Sequence, residues 1–344
     1  MIKVLVVEDS RVPREFIVHI LNASPGIRVI GTASNGEEAL EAVQRLQPDV
    51  ITMDIHMPGL DGLETTRRIM ETRPTPIVIV SGSINPHDVA MTFRATEAGA
   101  LAALPLPKDT LTAREMVQAV RLMSEVKVVR RWVRVQRDKP AAYPAEAKLA
   151  QHAPAEVRVV ALGASTGGPP ILKTILAGLP GNFPAPLLIV QHMSSGFSQG
   201  FVEWLSQSSL LPVRLAVHGE RILPAHVYVA PDEFQMKMES GGRIALLRDE
   251  HENGMCPSVS CLFRSVAEVY GCHAVAGLLT GMGRDGADEL KLLREQGAVT
   301  FAQDKESSVV HGMPGEAIKL DAAMFVVAPQ EIAPLLTRLA NGRK

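Results

Sequence analysis

The sequence predicts an α/β fold with two doubly wound parallel sheets, one in each half of the chain. Short aliphatic runs alternate with segments of helical periodicity through the first half, and the same alternation resumes after residue 156. Between the halves, residues 124–155 are rich in Arg, Lys, Ala and Pro, which is typical of a linker. We therefore expect a first domain over residues 1–123, a linker over 124–155 and a second domain over 156–344.

Length, charge and cysteine content set limits on function. The 344 residues are enough for two domains, and the net charge of -2 gives no reason to expect nucleic acid as a partner. Acids at Glu8 and Asp9 come too early for a signal peptide, and no apolar run reaches the roughly 18 to 20 residues of a membrane span. The three cysteines lack paired C-x-x-C spacing. We expect a cytoplasmic protein with reduced cysteines and no membrane insertion.

Five strand–helix units account for the first domain. The predicted strands cover residues 2–7, 29–34, 50–53, 77–80 and 101–104, and the predicted helices cover residues 12–22, 36–46, 63–71, 86–98 and 111–123. Because a helix follows each strand, the sheet is expected to be parallel, with its ligands at the carboxyl ends of the strands.

Polar side chains follow three of these strands. Glu8 and Asp9 come after the first strand, Asp54 after the third and Ser81 after the fourth. Convergence of three carboxylates is relieved by a hard divalent cation, most naturally Mg²⁺, and a carboxylate beside that metal can accept a phosphoryl group. Ser81 would offer its hydroxyl to that group. The alternative is that the acids are solvated and bind no ligand.

This pattern resembles the receiver domain of response regulators, which has a flavodoxin-like fold. The residues that carry the resemblance are Glu8, Asp9, Asp54, Met57, Pro58, Asp61, Gly62 and Ser81. The resemblance implies that a CheA-type histidine kinase phosphorylates Asp54. Leu106 stands where the family usually has a lysine that pairs with the phosphoryl oxygens, and Ala103 stands at the usual aromatic switch position. Lys108 either reaches the phosphoryl site or points into solvent.

The second domain begins with a strand over residues 157–162, a glycine-rich turn and a helix over 169–177. The turn matches G-x-S-x-G with Ser165 in the serine position, a geometry that lifts the serine oxygen above a sheet edge beside a helix N-terminus. Ser165 could therefore be a nucleophile. A phosphate-binding turn and a plain connector are the alternatives.

Two further side chains are expected at the same edge. His192 follows a predicted strand over residues 187–190, and Asp285 lies in the turn between a strand over 274–279 and a helix over 287–295. In a parallel sheet these turns share the edge that carries the serine. A structural histidine and an aspartate that only caps the following helix remain the alternatives.

Together the three residues would form an acyl-transfer site. Ser165 would be the nucleophile, His192 the general base and then acid, and Asp285 the group that orients the imidazole. The backbone N–H of Met282 is a candidate donor to the oxyanion. This chemistry requires no cofactor.

The second half resembles the catalytic domain of the chemotaxis methylesterase family, CheB, which is Rossmann-like. The motifs that carry the resemblance are residues 163–169, 191–197, 230–232, 257–259, 279–286 and 312–317. The family hydrolyses glutamate methyl esters on methyl-accepting chemoreceptors and deamidates particular receptor glutamines, so Ser165, His192 and Asp285 are implied to be catalytic. Departures from the family pattern occur at Ser194, Cys256 and Ser260.

The leading hypothesis is therefore a phosphorylation-regulated protein-glutamate methylesterase that serves adaptation in chemotaxis-type two-component signalling. One alternative is a phosphorylation-dependent adaptor that binds receptors with little or no turnover. Another is a dinucleotide site at the glycine turn, but the sequence lacks a full G-x-G-x-x-G there. The sequence leaves open whether deamidation accompanies demethylation.

Overall fold

The computed structural model describes residues 1–82, 86–126, 128, 156–248, 251–252 and 254–341. The chain divides into two compact units, Met1–Gln136 and Arg137–Lys344. The predicted linker lies outside the described residues apart from residues 124–126 and 128. None of the helices in the described ranges is long and apolar enough to cross a bilayer.

The first unit is a five-stranded parallel sheet with helices. Its strands are β1 (Ile2–Val7), β2 (Ile27–Ala33), β3 (Val50–Met53), β4 (Ile77–Ser81) and β5 (Ala102–Pro105). Its helices are α1 (Arg11–Asn22), α2 (Gly36–Leu46), α3 (Gly62–Thr72), α4 (Pro86–Ala98) and α5 (Thr110–Ser124). The strand order is β2-β1-β3-β4-β5, and every neighbouring pair is parallel.

Local sequence signals explain where these elements begin. Asn35 caps α2 by accepting the Glu38 N–H, and Asp61 caps α3 in the same way. A complete capping box at Asp109 and Thr112 starts α5. The strands β3 and β4 are buried along their whole length, which is why they read as continuous aliphatic runs.

The second unit is a seven-stranded sheet in which all paired neighbours are parallel, with one separate hairpin. Its strands are β6 (Val159–Ala164), β7 (Leu187–Gln191), β8 (Val213–Leu215), β9 (Val227–Val229), the hairpin strands β10 (Gln235–Glu239) and β11 (Arg243–Leu247), β12 (Ala274–Leu278), β13 (Val299–Gln303) and β14 (Phe325–Val327). Its helices are α6 (Gly168–Gly178), α7 (Ser198–Ser206), α8 (Val259–Tyr270), α9 (Ala287–Glu295), α10 (Met313–Lys319) and α11 (Pro329–Ala340). The order is β14-β13-β12-β6-β7-β9-β8. The predicted fold class, two parallel-sheet α/β domains, is confirmed.

Glycines allow α8 to pack closely on the centre of this sheet. A Cβ added to Gly163 in β6 would lie 2.4 Å from Val259 Cγ1, and one added to Gly286 would lie 2.5 Å from the same atom. Side chains at either position would push the start of α8 away from the sheet. The N-terminus of α8 is therefore held beside both the end of β6 and the turn that follows β12.

Candidate functional site

Three adjacent central strands bring the predicted catalytic residues to one edge of the second sheet. Ser165 directly follows β6, His192 directly follows β7, and Asp285 lies in the turn between β12 and α9. The strand β6 lies between the other two. The Ser165 N–H donates to Thr280 O over 3.0 Å, and the His192 N–H donates to Ala164 O over 2.9 Å. These bonds fix the three turns relative to one another.

The His192 imidazole is bound to the Asp285 carboxylate. Nε2 of His192 lies 2.9 Å from Oδ2 of Asp285, and the two side chains are 9% and 6% exposed. An ionised carboxylate only accepts hydrogen bonds, so Nε2 carries the proton and Nδ1 keeps its lone pair in the neutral ring. Nδ1 is buried and has no hydrogen-bond partner among the described residues. The Ser165 hydroxyl is thus not hydrogen-bonded to it in this structure, and Nδ1 is the nitrogen free to act as a base.

The Asp285 carboxylate is held by the N-terminus of α8. Oδ1 accepts from Ser258 Oγ over 2.9 Å and from the Ser260 N–H over 3.1 Å. Oδ2 accepts from the Val259 N–H over 2.6 Å as well as from His192. The open N–H groups and the dipole of a helix N-terminus favour a negative charge at this position. Sequence reasoning did not identify these three donors.

This environment keeps Asp285 ionised at neutral pH. Burial has the largest effect and on its own raises the pKa of the carboxyl group. The hydrogen bond and charge of His192, with the contacts from Ser260 and Val259, outweigh burial and lower the pKa to about 2. The alternative that Asp285 caps the following helix does not match the structure, because the N-cap of α9 is Gly286 and has no side-chain bond.

The Ser165 turn leaves backbone donors available. Gly167 is the N-cap of α6 and has a left-handed φ of +77°, which a residue with a side chain rarely adopts. The Gly168 N–H donates to Ser165 O over 2.8 Å, closing the turn. In the described part of the chain, the N–H groups of Thr166, Gly167 and Met282 make no backbone hydrogen bond. These groups are candidate donors to an oxyanion, and Met282 is the one that the sequence indicates.

Gly281 forms the wall beside Ser165. A Cβ added to Gly281 would lie 2.6 Å from Ser165 Cβ and 2.5 Å from Met313 Sδ. The residue also connects the site to the segment before α10, since its N–H donates to Val310 O over 2.9 Å. Only glycine leaves the present position of the serine side chain undisturbed.

The first unit contains the predicted acidic cluster. One carboxylate oxygen from each of Glu8, Asp9 and Asp54 lies within 4.8 Å of the others. Burial, followed by the charge of Asp54, raises the pKa of Glu8 to about 7, and burial also raises the pKa of Asp54. A set of crowded oxygen donors with this unfavourable charge fits a hard divalent cation.

Leu106 lies beside Ser81 at the neighbouring strand ends. Ser81 is 1% exposed at the end of β4, and the Leu106 N–H donates to Ser81 O over 2.8 Å. Lys108 is exposed, its N–H donates to Thr112 Oγ1, and its ammonium forms no ion pair within the described residues. Of the two alternatives for Lys108, the structure therefore shows the one in which it does not pair with the acidic cluster. Ala103 lies in β5 and is partly buried.

Comparison with known families assigns both units. The family described as CheB methylesterase matches residues 160–336, and the response regulator receiver domain family matches residues 4–121. A protein-glutamate methylesterase/protein-glutamine glutaminase from Nitrosospira multiformis is 60% identical over 349 residues, covering 100% of this chain and 98% of that protein. A protein of the same name from Geobacter metallireducens is 57% identical over 347 residues, covering 99% of each.

A solved structure agrees with the sequence relatives. The crystal structure of the Thermotoga maritima CheB methylesterase catalytic domain is similar with a TM-score of 0.52 and 36% identity, covering 53% of this chain and 98% of that one. The resemblance predicted from the motifs, and with it the assignment as a hydrolase, is confirmed. The chain therefore belongs to the CheB methylesterase family and carries a response-regulator receiver domain in its first unit.

Proposed function

We propose that this protein hydrolyses glutamate methyl esters on chemoreceptors and that phosphorylation of its receiver domain regulates this activity. The observation that carries the proposal is the pairing of His192 Nε2 with Asp285, which leaves Nδ1 unpartnered at the sheet edge where Ser165 lies. The names of the relatives, which describe methylesterases and glutaminases, support the same chemistry.

The first half of the reaction acylates the serine. Nδ1 of His192 accepts the hydroxyl proton of Ser165 as Oγ attacks the ester carbonyl carbon. Asp285 stabilises the imidazolium that forms. The negative oxygen of the tetrahedral intermediate is bound by free backbone N–H groups, with Met282 as the principal candidate. Collapse releases methanol, which takes the proton from Nδ1.

The second half regenerates the enzyme. Water gives a proton to Nδ1 of His192 and attacks the carbonyl carbon of the glutamyl ester of Ser165. The tetrahedral intermediate then collapses, Ser165 Oγ takes the proton back from Nδ1 as it leaves, and the carboxylic acid product ionises to a carboxylate. The same acyl-enzyme forms from a glutamine side chain if ammonia replaces methanol as the leaving group. We therefore propose receptor glutamine deamidation as a second activity of the same site.

The receiver domain would supply the regulation. Glu8, Asp9 and Asp54 would hold Mg²⁺, which when bound neutralises negative charge on a transferring phosphoryl group. A CheA-type histidine kinase would phosphorylate Asp54, and the Ser81 hydroxyl would contact the phosphoryl oxygens. None of the three cysteines, all of which are described, forms a disulfide, which fits action in the reducing cytoplasm.

Methanol release tests the proposal. Methylated receptors would be incubated with the full-length protein with and without a small phosphodonor, and methanol would be counted per protein chain. The proposal predicts many methanol molecules per chain and stimulation by the phosphodonor that Asp54→Asn abolishes. Stoichiometric receptor binding without methanol release would instead support the adaptor.

A further inference from the structure

Gln191 is a buried polar residue to which the reaction above gives no role. It is the last residue of β7, directly before His192, and is 3% exposed. Its amide nitrogen Nε2 donates to Ser165 O and to His192 O, each over 2.9 Å. One side chain thus binds the main chain of two predicted catalytic residues.

The orientation of this amide is fixed by its partners. A flipped amide would place Oε1 against two carbonyl oxygens, which cannot donate. The observed Oε1 is buried without a hydrogen-bond partner among the described residues, and a Cβ added to Gly168 would lie 2.2 Å from it. Leaving a buried acceptor unpaired is unfavourable, so this residue is not one that maximises stability. The two N–H groups of its amide, which bind Ser165 O and His192 O, are what this residue contributes to the site.

The amide bridges the strands at the point where their ladder ends. Ala164 and Gln191 form the last pair between β6 and β7, and the His192 N–H donates to Ala164 O. Beyond this bond the Ser165 N–H turns to Thr280 O on the other side of β6. In the described part of the chain, the Gln191 amide is the sole hydrogen-bond donor to His192 O. The side-chain bonds of Gln191 therefore stand where the next main-chain hydrogen bond between the two strands would otherwise be.

We propose that Gln191 is a positioning residue that sets the separation between Ser165 Oγ and His192 Nδ1. The inference rests on the proposed function, because it concerns the proton transfer between those atoms. Without the bridge, the serine turn and the histidine turn would move independently at the end of the sheet. Proton transfer and attack require a separation controlled to a fraction of an ångström, so a small drift slows the reaction without preventing folding.

Replacement of Gln191 by methionine tests the proposal. Gln191→Met keeps the length of the side chain and removes both N–H groups. We expect kcat for methanol release to fall about tenfold to a hundredfold. KM should stay within about twofold of the wild-type value, because the side chain is only 3% exposed and donates to main-chain oxygens.

A second variant gives a readout that loss of stability alone would not produce. In Gln191→Glu a carboxylate would face the two carbonyl oxygens, whereas the protonated acid has one O–H to donate. Its activity, divided by that of wild type at the same pH, should therefore rise as the pH is lowered. If Gln191→Met fails to fold, the pH profile of Gln191→Glu tests the positioning role by itself.

Leu336→Ala is the matched control. Leu336 is 1% exposed in α11 and makes no hydrogen bond to a catalytic residue through its apolar side chain, so its truncation destabilises the same unit. The variant should unfold earlier and retain wild-type kcat. Wild-type kcat in Gln191→Met, an equal loss in Leu336→Ala, or a Gln191→Glu profile parallel to wild type would overturn the proposal. Absence of methanol release by the wild-type protein would refute the proposed function itself.

Discussion

Substitution of Asp285 by asparagine separates the charge of this group from its shape. The carboxylate accepts four hydrogen bonds, from His192 Nε2, Ser258 Oγ and the N–H groups of Val259 and Ser260. Asparagine has one acceptor oxygen and an NH₂ group that would face donors. The variant therefore loses the negative charge and leaves part of this donor set unsatisfied.

The expected loss of stability follows from the pKa. The pKa of Asp285 is about 2 in the folded protein against an ordinary value of 3.8, and a difference of this size corresponds to about 2 kcal/mol at neutral pH. Because the folded pKa is the lower one, this stabilisation is present above about pH 4 and is lost as the pH falls towards 2. Asp285→Asn should be about 2 kcal/mol less stable at pH 7 and lack this part of the acid dependence.

The free-energy cost of Asp285→Asn to catalysis should exceed its cost to the stability of the fold. An asparagine cannot stabilise the imidazolium and favours the wrong tautomer of His192, an effect that costs about 10⁴-fold in serine hydrolases. Urea unfolding and methanol release would measure the two quantities. Asp232→Asn is the control, because Asp232 accepts from the Gly196 N–H and Ser198 Oγ and does not contact the triad. A kcat for Asp285→Asn within tenfold of that for Asp232→Asn would refute the reasoning.

Three further predictions concern other contacts. Gly281→Ala should lower kcat for methanol release at least tenfold, because the new methyl group would lie 2.6 Å from Ser165 Cβ. An unchanged kcat would contradict the requirement for glycine beside Ser165. Mg²⁺ should raise the temperature of receiver unfolding in a scanning calorimeter by several degrees, and Glu8→Gln should lose most of this increase, because the cation relieves repulsion among the carboxylates. Leu106→Lys should speed labelling of the receiver by a radioactive phosphodonor, because it adds a cation beside Ser81; unchanged or slower labelling would contradict that role.

Much of the catalytic edge could be predicted because its strands are buried. In the structure β6, β7 and β12 are fully buried, so each appears in the sequence as a continuous aliphatic run that ends near a polar residue. Parallel pairing then places the ends together. The boundaries are less accurate, since β6 was predicted over 157–162 and covers Val159–Ala164.

The elements that support the site could not be predicted in the same way. The strands β8 and β9 have three residues each, which is too short for a period to show. Ser258 and Asp285 are 27 positions apart, and their contact depends on how α8 packs on β6. Gln191 precedes His192 in a run that predicts only a strand, and its bridging bond depends on the direction of the Ser165 turn. Tertiary packing, rather than local pattern, decides these contacts.

The central claim is that Ser165 performs the attack, and methanol release by Ser165→Ala tests it most directly. Wild type and variant would be compared at equal folded concentration on the same methylated receptor, with circular dichroism to establish that the variant is folded. The account predicts a fall of roughly 10⁵-fold or more. Methanol release by folded Ser165→Ala at the wild-type rate would contradict it.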